Sequence, residues 1–482
     1  MSPLQLSPSL PKDQPLVLYE LNEVPWRVVD WYVARRPKSA MARLLKQSRT
    51  FTTFTRDEGE LHPWTTWPTL HRGVTNREHN IRFINQSRDE AANAHPPLWH
   101  TLRRAGKRVG VFGSLQSYPP SSDEGYEFYV PDTFAPGAET WPPRYTAFQR
   151  FNLRQTKQDG AQAAQVQLNS SIARDLLEML QSGLRLKTVV SLAAHLAKER
   201  SNPLHRSRRS VMQALVAFDF FEDALKHSQP EFCTFFTNHV AGMMHRYWKH
   251  AFPEDFGTKL STPEELFHAE SILFAMDIAD AQIDTLMSYV SGRQGRLMLA
   301  SSMGQEAMHW GSYRGEWRIT NVPRFLHGIG WNEPAQDLLA MQPDFNFAFP
   351  SEAEAARFMQ TTARLTDADG NSIWKRAQRN GTTVNLGLSA SEQAVDEGAA
   401  WLTSDDGPAA RLAIADLGIE LLHRDPGTGY HQPRGVLMVF GSGIAPADSR
   451  DQIDSTEVRP AILQMLGLEP FPDRTGRPQL AA

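Results

Sequence analysis

GVLMVFGSGIAPADSRDQIDSTEVRPAILQMLGLEPFPDRTGRPQL, residues 435–480, sets five consecutive apolar residues between two glycines, then a polar loop, then a helical pattern through VRPAILQMLG. A strand that is apolar at every position, not at alternate ones, fits a sheet covered by helices on both faces. The same signature recurs in PLVLYEL (15–21), KRVGVFGS (107–114), EFCTFFTN (231–238) and RLMLAS (296–301). Helical patterns separate these runs: an amphipathic stretch over 25–47 after Pro25, and another over 263–290 that opens PEEL. The expected class is therefore α/β, a doubly wound, mostly parallel sheet with helices on both faces.

The alternation of strand and helix breaks twice. Residues 120–230 begin rich in Pro, Gly and aromatics and continue as long helical patterns, which reads as a mostly helical cap. Within it, HRSRRS (205–210) reads as an exposed interhelical turn. Residues 310–430 read as a second, mixed insertion, carrying the polar loop LTDADGNS. The expected organisation is an N-terminal arm over 1–14, a core assembled from 15–119, 231–309 and 431–482, and the two insertions.

With 22% charged and 41% hydrophobic residues and a formal net charge of -4, the chain has no general affinity for nucleic acid or an anionic membrane, so any basic surface must be local. No leader pattern opens the sequence and no run approaches the ~18 apolar residues of a membrane span. A soluble, cytoplasmic protein is expected. The single cysteine, Cys233, sits in the apolar run EFCTFF and reads as a small buried hydrophobe, and one cysteine makes no internal disulfide.

Residues 435–480 resemble the closing segment of the alkaline phosphatase superfamily, in the branch with type I phosphodiesterases and nucleotide pyrophosphatases. The resemblance extends to PLVLYELNEVPW, PWTTWPTLHRG with the EHNI that follows it, NHVAGMMHRYW, DIADAQIDTLMSYVSGRQGRLMLASS and GTGYHQPRGVLM. It implies two metal ions, usually zinc, at the carboxyl ends of the strands, where they hold a phosphate or sulfate ester and activate a Thr or Ser for attack. By position Thr66 is the candidate nucleophile, with Thr65 and Thr69 as alternatives.

The metal ligands that the resemblance implies are incomplete. An aspartate ends the family's first strand, whereas this chain has Asn22, flanked by Glu20 and Glu23. His245 matches a family histidine, but the aspartate four residues before it is Ala241, and the polar residues nearby are Asn238 and His239. Ser302-Met303-Gly304 stands where the family has Asp-His-Gly, while His431 falls on the last ligand position. An amide binds zinc poorly compared with a carboxylate. Each lost carboxylate removes a charge worth about 4 kcal/mol at ~4 Å and an effective dielectric of ~20.

The expectation is thus at most one divalent metal, zinc by its donors, on Glu20, His245 and His431, or none. His71 and His239 are the candidate bases for Thr66, and Asn22, Arg72, Arg77, Asn238 and Gln305 the candidate contacts to an anionic small-molecule substrate. Two functions follow: an enzyme that hydrolyses or transfers a phosphate or sulfate ester or related anionic metabolite, or a non-catalytic binding protein that keeps the cleft. Neither nucleic acid nor membrane is an expected partner.

Overall fold

A computed structural model describes residues 9–470, apart from 12, 85–93, 121–124, 158–169, 310–312, 339, 341–343, 389, 392–397, 405–406 and 424–426. The FPDRTGRPQL end of the family resemblance (471–480) and most of the N-terminal arm lie outside the described residues. The chain divides into two compact units, 1–307 with 428–482, and 308–427.

Among the described residues the first unit has ten strands: β1 Leu16–Leu21, β2 Arg49–Phe54, β3 Val109–Phe112, β4 Tyr126–Val130, β5 Phe232–Thr237, β6 Arg296–Ala300, β7 Gly304–Ala307, β8 Gly429–Gln432, β9 Arg434–Gly441 and β10 Ala447–Asp454. Eight form one sheet in the order β10-β2-β9-β6-β1-β5-β3-β4. Its pairings are parallel except those of β9, which runs antiparallel to both β2 and β6. β7 and β8 make a separate antiparallel ribbon. The architecture is the α/β class with a mostly parallel central sheet.

Side-chain alternation along β1 splits the core in two. Val17, Tyr19 and Leu21 join one apolar cluster with residues of the helices Trp26–Arg35, Ala40–Gln47, Gln213–His227, His239–Ala251 and Ser271–Ser291. Leu16 and Leu18 join the other, with Trp67 and Leu70 of the helix Pro63–Arg72, Trp99 of Leu98–Arg104 and Ile462 of Val458–Met465. Both faces are covered, which is why the strands read as unbroken apolar runs.

Three local expectations change. The stretch 25–47 forms two helices, because Pro37 has no N–H to continue the first and Ser39 caps the second, accepting from the Ala42 amide at 3.0 Å. The stretch 263–290 likewise divides, at Glu270. HRSRRS is not an exposed turn throughout. It lies in the 3-10 stretch Pro203–Met212, and Arg208 is buried with its guanidinium 3.9 Å from the Phe267 ring centroid.

The 120–230 segment belongs to the first unit: it supplies edge strand β4, and its Phe148, Phe220 and Phe221 join the Val17 cluster. Cys233 is buried, and burial pushes its thiol far above the ordinary range. Among the described residues no helix is long and apolar enough to cross a membrane. The second unit has its own core around Phe325, Phe347 and Phe358, three- and four-stranded sheets, and the helices Val322–Gly328 and Glu352–Ala363.

Candidate metal centre

The site begins where β1 runs out. Glu20 and Asn22 stay in step with Leu16 and Leu18 and face the helix Pro63–Arg72. Two residues along a strand span ~6.6 Å and four along a helix ~6 Å, so one pair can meet the other. His71 Nε2 lies 2.7 Å from Glu20 Oε1, and Trp67 Nε1 donates to Asn22 Oδ1 at 2.7 Å. Glu23 follows with φ +61°, a left-handed conformation that costs a non-glycine residue ~1–2 kcal/mol. Strain of this kind gathers at functional sites.

Glu23 is 1% exposed, and its carboxylate collects four partners. Oε1 accepts from Asn22 Nδ2 at 2.8 Å. Oε2 faces His245 Nε2 at 2.9 Å and His431 Nε2 at 3.4 Å, and accepts from Gln305 Nε2. Burial alone would raise the carboxyl pKa, but the charges of His431 and His245 and their hydrogen bonds outweigh it and hold Glu23 well below the usual carboxylate range.

Each histidine is placed by a different element. His245 belongs to the helix His239–Ala251, which departs from helical geometry at Tyr247. Thr428 enters there: its N–H donates to the His245 carbonyl at 2.8 Å, and its hydroxyl accepts from the Lys249 amide at 2.9 Å. The same segment brings the Gly429 carbonyl within 2.9 Å of His245 Nδ1 and starts β8, where His431 pairs directly opposite Gln305. A Cβ on residue 429 would lie 2.4 Å from the Met244 carbonyl oxygen, so this close approach requires glycine.

The donor set fits a cation. One ligand atom each from Glu23, His245 and His431 lies within 4.8 Å of the others. Zinc bonds of ~2.0–2.2 Å put neighbouring tetrahedral ligand atoms ~3.3–3.6 Å apart; the 3.4 Å from Glu23 to His431 matches this, while the 2.9 Å to His245 is a hydrogen-bond length that would have to open. His245 decides the chemistry. Its Nδ1 must carry the proton donated to the Gly429 carbonyl, so Nε2 can face a carboxylate only if it is protonated too or if a metal stands between them. Buried Gln305 Oε1 and His431 Nδ1 have no hydrogen-bond partner among the described residues.

The ligand geometry departs from expectation at one residue. The carboxylate that joins His245 and His431 is Glu23, because the helix carrying His245 covers the Tyr19 face of the sheet whereas Glu20 points to the opposite one. Asn22 does come to Glu23, and Asn238 is joined to it through Asn22, which spends its amide hydrogens on Glu23 and on Asn238 Oδ1, the latter at 2.6 Å. Thr66 is fully buried, and its hydroxyl pairs with Ser302 Oγ at 2.8 Å.

His71 and His239 hold other partners. His239 bonds the Thr237 hydroxyl through Nδ1 and the Ala275 carbonyl through Nε2. Arg72 donates to the His95 carbonyl, and Arg77 pairs with Glu58 at 3.1 Å. The helix Pro63–Arg72 presents its amino end to the cluster, with the His62 ring 5.8 Å from that of His431, so Arg72 starts ~15 Å further along the axis. His62, Trp67 and Tyr430 are neighbours that the motifs did not single out. Tyr430 rings with His245 at 6.1 Å and donates to Glu60. Counting β1 by twos separates Glu20 from Glu23 without saying which face meets His245.

No protein-family model and no curated protein matches this chain. Solved structures do. Phosphonoacetate hydrolase from Sinorhizobium meliloti 1021, in complex with phosphonoacetate, shares 12% identity at a TM-score of 0.38 and covers 95% of this chain and 98% of its own. An inactive variant of murine ectonucleotide pyrophosphatase/phosphodiesterase 5, in complex with AMP, shares 12% at 0.41 and covers 94% and 95%. Wild-type alkaline phosphatase PafA shares 10% at 0.46 and covers 95% and 96%. These neighbours are alkaline phosphatase superfamily members.

Proposed function

We propose that the chain binds one divalent cation, zinc by its donors, on Glu23, His245 and His431, and uses it to act on a phosphate or sulfate ester by hydrolysis or group transfer. The observation that carries this reading is His245 held between a carbonyl and a carboxylate, which sets its tautomer and aims the remaining nitrogen at Glu23. Two neutral imidazoles and one carboxylate leave a divalent ion with one net positive charge, which suits an anionic ester. The ion supplies Lewis-acid polarisation of an ester oxygen.

The protein's own groups do the rest. Gln305 and Asn22 hold both oxygens of Glu23, so the carboxylate keeps one orientation. Thr66 stands as the nucleophile of this reading, at the end of the helix nearest the cluster. Its hydroxyl must leave Ser302 to attack, and Ser302, a neutral partner, is no base. That burial favours a second reading, in which the same cation and cleft bind an anionic metabolite without turning it over.

One experiment divides the two. Metal content of protein prepared without chelator is measured, and turnover is followed on a panel of phosphate and sulfate esters with and without added zinc. Metal-dependent multiple turnovers that Glu23→Gln abolishes support the enzyme. Turnover indifferent to both chelator and Glu23→Gln would sink the proposed centre, while tight, metal-dependent binding without turnover favours the binder.

A further inference from the structure

Six large hydrophobic residues are exposed among the described ones, and five of them, Leu177, Leu180, Leu186, Val190 and Leu196, sit on the consecutive helices Ser170–Ser182 and Leu186–Ser201. On the second helix Leu186 and Val190 are 74% and 67% exposed. Exposed Ala193 and Ala197 continue them at helical spacing, so the four fall within roughly 60° of the circumference, along a stripe ~16 Å long. The exposed charged residues of this helix are all basic, Lys187 and Lys198 along one border of the stripe and Arg200 at its carboxyl end, and Glu178 on the preceding helix is paired with Arg150. The helix has one acidic residue, Glu199, which is buried and paired with Arg209.

We infer that this helix is a docking face for an anionic lipid surface. An exposed apolar stripe bordered by Lys and Arg is the composition of a helix that lies in a membrane interface, its apolar side among acyl chains and its cations at the phosphates. Lysine stems run along apolar surface while their ammonium groups reach outward. A second copy of the chain fits badly, since two such faces would oppose lysine to lysine with no exposed carboxylate on the helix between them. The chain's net charge of -4 gives no general attraction, so the contact depends on this local patch.

The test is cosedimentation of the full chain with vesicles of phosphatidylcholine alone and of phosphatidylcholine with phosphatidylserine. Binding is expected to the anionic vesicles only and to fall at high salt. Near the surface each Lys contributes ~1 kcal/mol, so Lys187→Gln with Lys198→Gln weakens binding about 30-fold. Leu186→Gln with Val190→Gln weakens it comparably, while both doubles keep the wild-type melting temperature because all four side chains face solvent. Several results would overturn the inference: no binding to anionic vesicles, equal binding to neutral ones, or doubles that bind as the wild type does. So would concentration-dependent self-association abolished by Val190→Gln, which would assign the face to a second copy.

Discussion

The Trp67 indole donates to the Asn22 side-chain carbonyl at 2.7 Å, and that bond decides which end of the Asn22 amide meets Glu23. With Oδ1 taken, both amide hydrogens point outward, one to Glu23 and one to Asn238. A tryptophan that touches none of the proposed ligands therefore orients one of them. Trp67→Phe keeps most of the buried ring and removes the donor, leaving Asn22 free to rotate. Metal affinity is expected to fall about 10–100-fold, as for other groups that orient a ligand, with stability lowered by ~1–3 kcal/mol. Competition against a chromophoric chelator and urea unfolding measure the two; unchanged affinity would break the proposed link.

The donor set limits stoichiometry. With Asn22, Asn238 and Ser302 as neutral groups, we expect one zinc per chain in elemental analysis, its affinity falling at least about 100-fold in His245→Ala or His431→Ala and below detection in Glu23→Gln. Two equivalents in the wild type would refute a single centre.

Gly429 is expected to be intolerant of a side chain. Its substitution by alanine forces a methyl group against the Met244 carbonyl and displaces the segment that supplies both the His245 acceptor and His431. Overpacking of this kind costs about 1–3 kcal/mol, and zinc affinity should fall with it. Gly257, where an added Cβ meets nothing within 4 Å, stands in left-handed backbone, so Gly257→Ala controls for strain alone. It should lose stability without losing metal.

Acid should destabilise the fold through two buried histidines. Burial, helped by the charges of Arg72 and Arg82, lowers His79 to about 3, and burial lowers His239 to about 4. His79 is committed as a neutral ring, accepting from the Ile81 amide at Nδ1 while Nε2 faces the Thr69 hydroxyl at 3.0 Å. Between these values and the ordinary ~6.5 the unfolded chain binds protons that the folded one does not, so stability rises with pH across that window and falls on acidification. The slope is about 1.4 kcal/mol per pH unit per histidine at most. Unfolding free energies of His79→Gln from pH 7 to 4 should show a shallower slope than the wild type, and an equal slope would rule out His79 as a source.

The parts of the fold that could be read from sequence were those buried on both faces. β1, β3, β5, β6 and β9 announce themselves as apolar runs, whereas β2 alternates Thr with Phe and β10, ADSRDQID, is a polar edge that resembles a loop. In the centre, motif position pointed to His245 and His431 because their spacing survives in the chain. Position could not choose between Glu20 and Glu23, since that depends on which sheet face each helix covers. The Trp67–Asn22 bond joins residues 45 apart with no spacing rule between them.

β9 lies antiparallel inside the sheet, and β2 finds both of its hydrogen-bonded neighbours, β9 and β10, nearly 400 residues later in the chain. During synthesis, then, residues 49–54 have no strand to join until β9 has been made, and one edge of β6 stays bare until the same point. Closing a loop of that length makes this the slowest kind of pairing and the one most open to aggregation. A ribosome stalled before residue 434 would hold β6, β1, β5, β3 and β4 as one sheet, with β2 lacking a strand to pair with. Assembly of the sheet waits on β9 and β10, and assembly of the cluster waits on His431 of β8 just before them.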